Sequence, residues 1–420
     1  MDSPRFAPLP DECLVDEEVR IRIQGLQAGA HVHLRAATAG VPGTMWAADA
    51  EFLAHDGSVD LTRDAPLSGS YEGVDAMGLF WSRASQPAVT EDIATDFMVL
   101  TLTVRGAGGS CLLSHRIRRY FRHPSVRLQE VREEGLVAKL FTPEAPGPHP
   151  AVLVVGGSGG GFQWCAETAG LLASRGFAAL AVAYFGMEGL PATLDRIPLE
   201  YFERALAWMA RNETVDAQRI AVVGVSRGGE LALLLASTFP AIRSAVAFVP
   251  SGILWSAFPT SGHAAWTWQG HELPCAGLMS PLDWMRMLRA QDVKDESIAS
   301  YFLCLKDPAV VEAATIPVER IQGPVMLVTG GSDGLWPSEA LTDYALRRLR
   351  ERKFPHRIEH LSYPDAGHAI GWPNVTSTMI RFKHPVSGDE IDLGGTPAAN
   401  AHASHDAWPR MLAFLRESLR

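Results

Sequence analysis

Three polar residues, far apart in the chain, stand in the order that nucleophilic acyl transfer requires. Ser226 sits in Gly224-x-Ser226-x-Gly228, between the apolar run 220–224 and the amphipathic stretch 227–238. Small residues two places before and after a serine suit a sharp strand-to-helix turn that presents its hydroxyl at a helix N-terminus. A serine hydroxyl is a weak nucleophile without a base, and the base must be held in one tautomer by an acid. Asp333, in Val328-Thr-Gly-Gly-Ser-Asp-Gly-Leu-Trp-Pro337, and His368, in Tyr363-Pro-Asp-Ala-Gly-His368, follow in the order Ser, Asp, His, each after a strand-like run. An aspartate in a Gly-Ser-Asp-Gly turn also has a plainer use, bonding its own backbone. Asp365, in the same loop as His368, is the competing acid and ranks behind Asp333. The expected oxyanion donors are the N–H groups at Gly157, Ser158 and Gly159, in Val155-Gly-Gly-Ser-Gly-Gly-Gly161, together with the N–H of Arg227. A nucleotide site is a weak reading of that glycine loop, because neither G-x-G-x-x-G nor Gly-Lys-Ser/Thr is present.

These residues need strand ends to stand on. From about 144 onward, short apolar runs at 151–155, 178–184, 220–224, 244–249 and 325–329 alternate with helical patterns near 163–175, 198–211, 227–238 and 337–351. Strands buried on both faces, alternating with helices, predict a doubly wound, mostly parallel α/β-hydrolase sheet. Before it, Val19, Ile21 and Ile23 alternate with charged and polar neighbours, as do Val32 and Leu34, and glycines punctuate the intervals. That pattern predicts an immunoglobulin-like antiparallel β-sandwich of about seven strands. The expected domains are therefore 1–143 and 144–420. Residues 251–320 break the strand–helix rhythm and are expected to form an insertion beside the acyl pocket. Their tryptophans, Trp255, Trp266, Trp268 and Trp284, either line that pocket or fill core. The basic run His115, Arg116, Arg118, Arg119 and Arg122 reads as a solvated strand face, with a phosphate-contacting role as the alternative.

The 420 residues, 47% apolar and 20% charged, suit a globular protein of two domains. A net charge of -10 argues against nucleic acid or an anionic membrane as the main partner. The N-terminus has neither a basic nor an apolar leader region, and no run approaches a membrane span, so a cytoplasmic enzyme without membrane insertion is expected. Five scattered cysteines without a CxxC pair suggest reduced thiols and no metal site.

The chain also resembles, over nearly its full length, the type I acyl-CoA thioesterases and bile acid-CoA:amino acid N-acyltransferase. The likeness rests on Val19-Arg-Ile-Arg-Ile-Gln-Gly-Leu26, Ser68-Gly-Ser-Tyr-Glu-Gly73 and Met77-Gly-Leu-Phe-Trp81 in the first domain. In the second it rests on Gly159-Gly-Gly161, Ala183-Tyr184, Leu199-Glu-Tyr-Phe-Glu203, Gly224-Val-Ser-Arg-Gly-Gly-Glu230, Ile316-Pro-Val-Glu-Arg320, Gly367-His368, Gly394-Gly-Thr-Pro397 and Asp406-Ala-Trp408. The resemblance implies the triad Ser226, Asp333 and His368, no cofactor, and a small-molecule acyl thioester substrate, with coenzyme A as the carrier. Gly334, Leu335 and Ala369 depart from the eukaryotic pattern of His, Asn and Tyr, so acyl-chain preference is not carried over. The rival readings are an acyltransferase or cyclase, an esterase or peptidase, and a catalytically silent binding protein on a hydrolase scaffold.

Overall fold

A computed structural model describes residues 3–40, 43–87, 97–290 and 298–420. The chain divides into two compact units: Met1–His123 with Trp372–Ile380 and Thr396–His405, and Pro124–Gly371 with Arg381–Gly395 and Asp406–Arg420.

In the first unit the period-two patterning folds as expected into strands. Four long ones, His31–Ala39, Thr44–Leu53, Phe97–Gly106 and Cys111–Tyr120, pair antiparallel in a seven-stranded sheet, and a three-stranded sheet accompanies it. The strands outnumber the seven expected because short edge pieces such as Ser68–Gly69 and Ala84–Pro87 join the long ones. One edge, Glu12–Leu14, runs parallel to Cys111–Tyr120, so the sheet is not wholly antiparallel. Alternation also corrects the reading of the basic run. Ile117 and Arg119 share the inward face, and Arg119 is fully buried, donating to the carbonyls of Asn374 and Val15, while Arg116 and Arg118 are exposed.

The second unit is built on eight strands: β1 Arg127–Val131, β2 Val137–Thr142, β3 His149–Val155, β4 Ala178–Ala183, β5 Val215–Val225, β6 Ile242–Phe248, β7 Val325–Gly330 and β8 Ile358–Tyr363. Their order in the sheet is β1-β2-β4-β3-β5-β6-β7-β8. Only β2 runs against the rest. Residues 151–155 and Ala178–Ala183 are buried without interruption, as a sheet covered on both faces requires. The crossover helices are α1 Gln163–Ser174, α2 Glu200–Arg211, α3 Arg227–Thr238 and α4 Ser338–Glu351. The arrangement is an α/β-hydrolase sheet.

Two boundaries differ from expectation. The units part at His123/Pro124 rather than near 144, because β1 and β2 hydrogen-bond into this sheet as its antiparallel edge. Residues 251–320 are also less separate than an insertion. Trp266 is buried in the main core with Leu254, whereas Trp255 joins Ile253, Ala276, Cys304 and Trp336 in a smaller cluster. Residues 291–297 of that stretch lie outside the described residues.

Candidate active site

Ser226 occupies the step from β5 into α3 with φ 58° and ψ -124°. A non-glycine residue there stores about 1–3 kcal/mol of strain, so its surroundings must impose the conformation. They do. The Ser226 N–H donates to Phe248 O of β6 at 2.8 Å, and its carbonyl accepts from Glu230 N at 3.0 Å. The flanking glycines are dictated by contact. A Cβ on Gly224 would lie 1.9 Å from Gly228 O, and one on Gly228 would lie 2.2 Å from Gly156 O. The elbow is thereby pressed onto the loop that leaves β3.

Asp333 follows β7, and its two oxygens divide the uses foreseen for it. Oδ1 accepts the N–H groups of Leu335 and Trp336 at 3.0 and 3.2 Å, and Oδ2 lies 2.8 Å from Nδ1 of His368. The turn-forming bonds and the contact with His368 coexist, one use per oxygen. His368 follows β8 and is almost wholly buried. Its Nε2 has no hydrogen-bond partner, and Ser226 and His368 are not hydrogen-bonded to each other. Asp365 is exposed.

Of the expected oxyanion residues, Gly157 lies against Ser226: a Cβ there would be 3.2 Å from Ser226 Cβ and 3.7 Å from its Oγ. The loop is tied down at its start by Tyr184, whose hydroxyl donates to Gly156 O at 2.6 Å. Ser158 turns its hydroxyl to His384, and Gly159 packs beside Pro385. Arg227 is not free to meet an anion with its side chain. Its guanidinium is buried, faces Glu230 at 3.0 Å and donates to the carbonyls of Trp255 and Ser256. Only its backbone remains for the oxyanion role. Glu230 is fully buried and accepts from Trp266 Nε1 at 2.7 Å. Burial pushes its carboxyl up to about 7, against the opposing pull of Arg227.

Ser226, Ser158 and Arg227 form part of the wall of a cavity of about 300 Å³, whose apolar lining includes Trp255, Phe258, Trp284, Tyr301, Leu335 and Trp336. The tryptophan alternatives separate residue by residue, since Trp255 and Trp284 reach the cavity while Trp266 fills core. His368 meets the edge of Trp336, ring centroids 6.2 Å apart.

With an elbow serine and an aspartate-bound histidine on the ends of β5, β7 and β8, the comparisons with known proteins fall into place. Residues 16–133 match the family described as Acyl-CoA thioester hydrolase/BAAT N-terminal region, and residues 197–420 match BAAT / Acyl-CoA thioester hydrolase C terminal. The chain belongs to the acyl-CoA thioester hydrolase/BAAT family. It is 33% identical to human (Homo sapiens) acyl-coenzyme A thioesterase 1 over 97% of this chain and 94% of that protein. It is 31% identical to the peroxisomal succinyl-coenzyme A thioesterase of Mus musculus over 96% and 94%. Among solved structures, 2,6-dihydroxy-pseudo-oxynicotine hydrolase aligns with a TM-score of 0.41 and 17% identity, over 70% of this chain and 68% of that one. No helix among the described residues is long and apolar enough to cross a membrane.

Sequence reasoning about this family member gave no role to the segment Arg381–Gly395, noting only Gly394 and Gly395 as part of the family likeness. Its His384, Asp389 and Ile391 line the same cavity as Ser226. The available signals were slight: a Ser387-Gly388 turn between short strands, and the Gly394-Gly395 pair after them.

Proposed function

We propose that this protein hydrolyses acyl-CoA-like thioesters through an acyl-enzyme on Ser226. The observation that carries the reading is His368, held by Asp333 through Nδ1 and left with a bare, buried Nε2 on the loop after β8. In the first step Nε2 takes the Ser226 proton as Oγ bonds to the thioester carbonyl carbon. The carbonyl oxygen becomes an anion held by N–H groups at 157–159 and by that of Arg227. The carbon–sulfur bond then breaks and the thiolate leaves with the proton from His368. In the second step His368 takes a proton from water, hydroxide adds to the ester, and Ser226 departs reprotonated as the acid is released. The aromatic cavity beside Ser226 supports an apolar acyl group as the part bound there. None of the five cysteines is paired, which fits a reducing compartment, and the cytoplasm is the one proposed.

The test is a panel of short, long, branched and aromatic acyl-CoAs, with thiol release followed by colour and products by mass, alongside labelling by a fluorophosphonate probe. The expected result is thiol release and labelling by the wild type, with both abolished in Ser226→Ala. Cleavage of simple esters or peptides with every thioester left intact would overturn the substrate class, and a folded wild type refractory to the probe would overturn the serine mechanism.

A further inference from the structure

The segment Arg381–Gly395 touches three loops that the serine mechanism uses, those of the acid, the base and the oxyanion donors. It begins as a two-stranded hairpin, Arg381–Lys383 against Glu390–Asp392, an element too small to be stable alone. Beyond the hairpin, Leu393 O accepts two N–H groups, from Gly334 beside the acid at 3.1 Å and from His368 itself at 2.7 Å. Gly395 N then donates to Ser332 O at 2.9 Å. The close approach demands glycine on both sides. A Cβ on Gly367 would lie 2.2 Å from Gly394 O, and one on Gly394 would lie 2.2 Å from Ser332 O. The strap is therefore wedged between the acid loop and the base loop.

Its hairpin reaches the third loop through His384 and Pro385. His384 is 5% exposed, with its ring edge-on to Phe258 at 4.8 Å between centroids. Nδ1 accepts from Val386 N at 3.2 Å and Ser387 N at 3.3 Å, and Nε2 lies 3.0 Å from Ser158 Oγ. These partners decide the tautomer. Two N–H donors aimed at Nδ1 leave no room for a proton there, so the proton sits on Nε2 and is donated to Ser158. Burial favours the same neutral ring, lowering the imidazole's pKa against the opposing charge of Asp389. The Ser158 hydroxyl, having accepted from His384, keeps its own hydrogen free to donate, and Ser158 lines the cavity beside Ser226. Pro385 also abuts the loop, 3.4 Å from where a Cβ of Gly159 would lie.

We propose that His384 is a positioning residue for the oxyanion loop: its Nε2–H fixes Ser158, and the strap that carries it sets that loop in register with Asp333 and His368. The proposal rests on the acyl-enzyme reading above. An oxyanion donor works only when aimed beforehand at the charge that develops, so freeing Ser158 should slow the chemical step and leave substrate binding alone.

The competing account is that His384 only shapes its own turn, and two substitutions separate the two. His384→Asn keeps a side-chain oxygen placed to accept from Val386 N and Ser387 N but cannot reach Ser158. His384→Gln keeps a donor near the position of Nε2. The experiment takes the full chain with these substitutions, Ser158→Ala and the double His384→Asn/Ser158→Ala. It measures kcat and KM on the best acyl-CoA of the panel and the rate of fluorophosphonate labelling, whose phosphoryl oxygen enters the same site. Expected is a loss of roughly tenfold in kcat and in labelling rate for His384→Asn and for Ser158→Ala, with KM changed by less than about twofold. The double variant should be no worse than either single one, and His384→Gln should recover most of the labelling rate. Wild-type kcat in the folded single variants, losses that multiply in the double, or a loss confined to KM would overturn the proposal. Should His384→Asn melt early, His384→Gln decides beside Ser158→Ala: near-wild-type labelling in the first with a loss in the second is expected, and a folded His384→Gln as slow as Ser158→Ala would overturn the proposal. Ser226→Ala separates this from the parent reading: turnover surviving there sinks the acyl-enzyme, whereas a dead Ser226→Ala beside normal Ser158 and His384 variants sinks only the positioning role.

Discussion

Two histidines in the catalytic unit, His368 at 8% exposure and His384 at 5%, meet the same degree of burial with opposite wiring. His368 has one nitrogen on a carboxylate and the other bare, whereas His384 has both nitrogens occupied by neutral backbone and hydroxyl groups. Burial alone therefore does not mark a base. What suits a ring to that task is a carboxylate on one nitrogen and an accepting lone pair on the other, since such a ring can take up a proton and have the resulting charge stabilised. His384, whose Nδ1 already accepts two N–H groups and whose Nε2 faces Ser158, has neither a carboxylate hydrogen-bonded to its ring nor a nitrogen turned toward a reacting group.

That contrast can be broken by measurement, here in order of effect on turnover. His368→Ala is expected to lower kcat by ~10⁴-fold or more, far beyond any His384 substitution; equal losses at the two positions would erase the distinction. Asp333→Asn should cost ~10³–10⁴-fold in kcat with thermal stability little changed, because an amide no longer holds Nδ1–H in the required tautomer. Gly367→Ala sharpens the comparison by disturbing the strap where it meets the base loop. With Gly394 O only 2.2 Å from the new methyl, a shift of that loop is forced and a loss of up to ~10²-fold follows, together with a lower melting temperature. Gly159→Ala, whose methyl would meet only Pro385 Cγ at 3.4 Å, should change turnover by less than about threefold.

The smallest effect on turnover belongs to Glu230, a buried carboxyl with no chemical duty in this scheme. Its folded-state pKa is raised by burial to about 7 from an ordinary 4.5, so the folded chain keeps a proton that the unfolded chain gives up across that window. Stability should therefore fall as pH rises from 4.5 to 7. Glu230→Gln should flatten the slope, as read from urea unfolding at several pH values, and an unchanged slope would show that Arg227 keeps the carboxylate ionised throughout.

What was legible in the chain follows from which interactions are local. Strands β3 to β7 showed as apolar runs because neighbours cover both of their faces, and Ser226 was singled out because it follows such a run directly, whereas Asp333 and His368 were assigned more from chain order and family likeness, β8 before His368 being only partly apolar. Strands β1 and β2 were assigned to the wrong domain. At the edge of the sheet, β1 is exposed at four of its five positions and reads like a sandwich strand. Arg119 was read as solvated from its charge, although its parity with Ile117 pointed inward. His384 had no local signal at all. It meets Ser158 across 226 positions of sequence, and pattern reading has no purchase on a pairing made only when the fold closes.

The boundary between the two units also has a consequence for inheritance. Between Gly371 and Asp406 the chain alternates, with Trp372–Ile380 and Thr396–His405 grouped with the N-terminal unit and the strap between them grouped with the catalytic one. No single recombination point in the gene separates the two. An exchange of N-terminal modules between relatives would have to carry two further short inserts, bracketing the strap, or leave half-matched segments on either side of it. The sandwich is thus expected to travel with its hydrolase through evolution as one inseparable cassette.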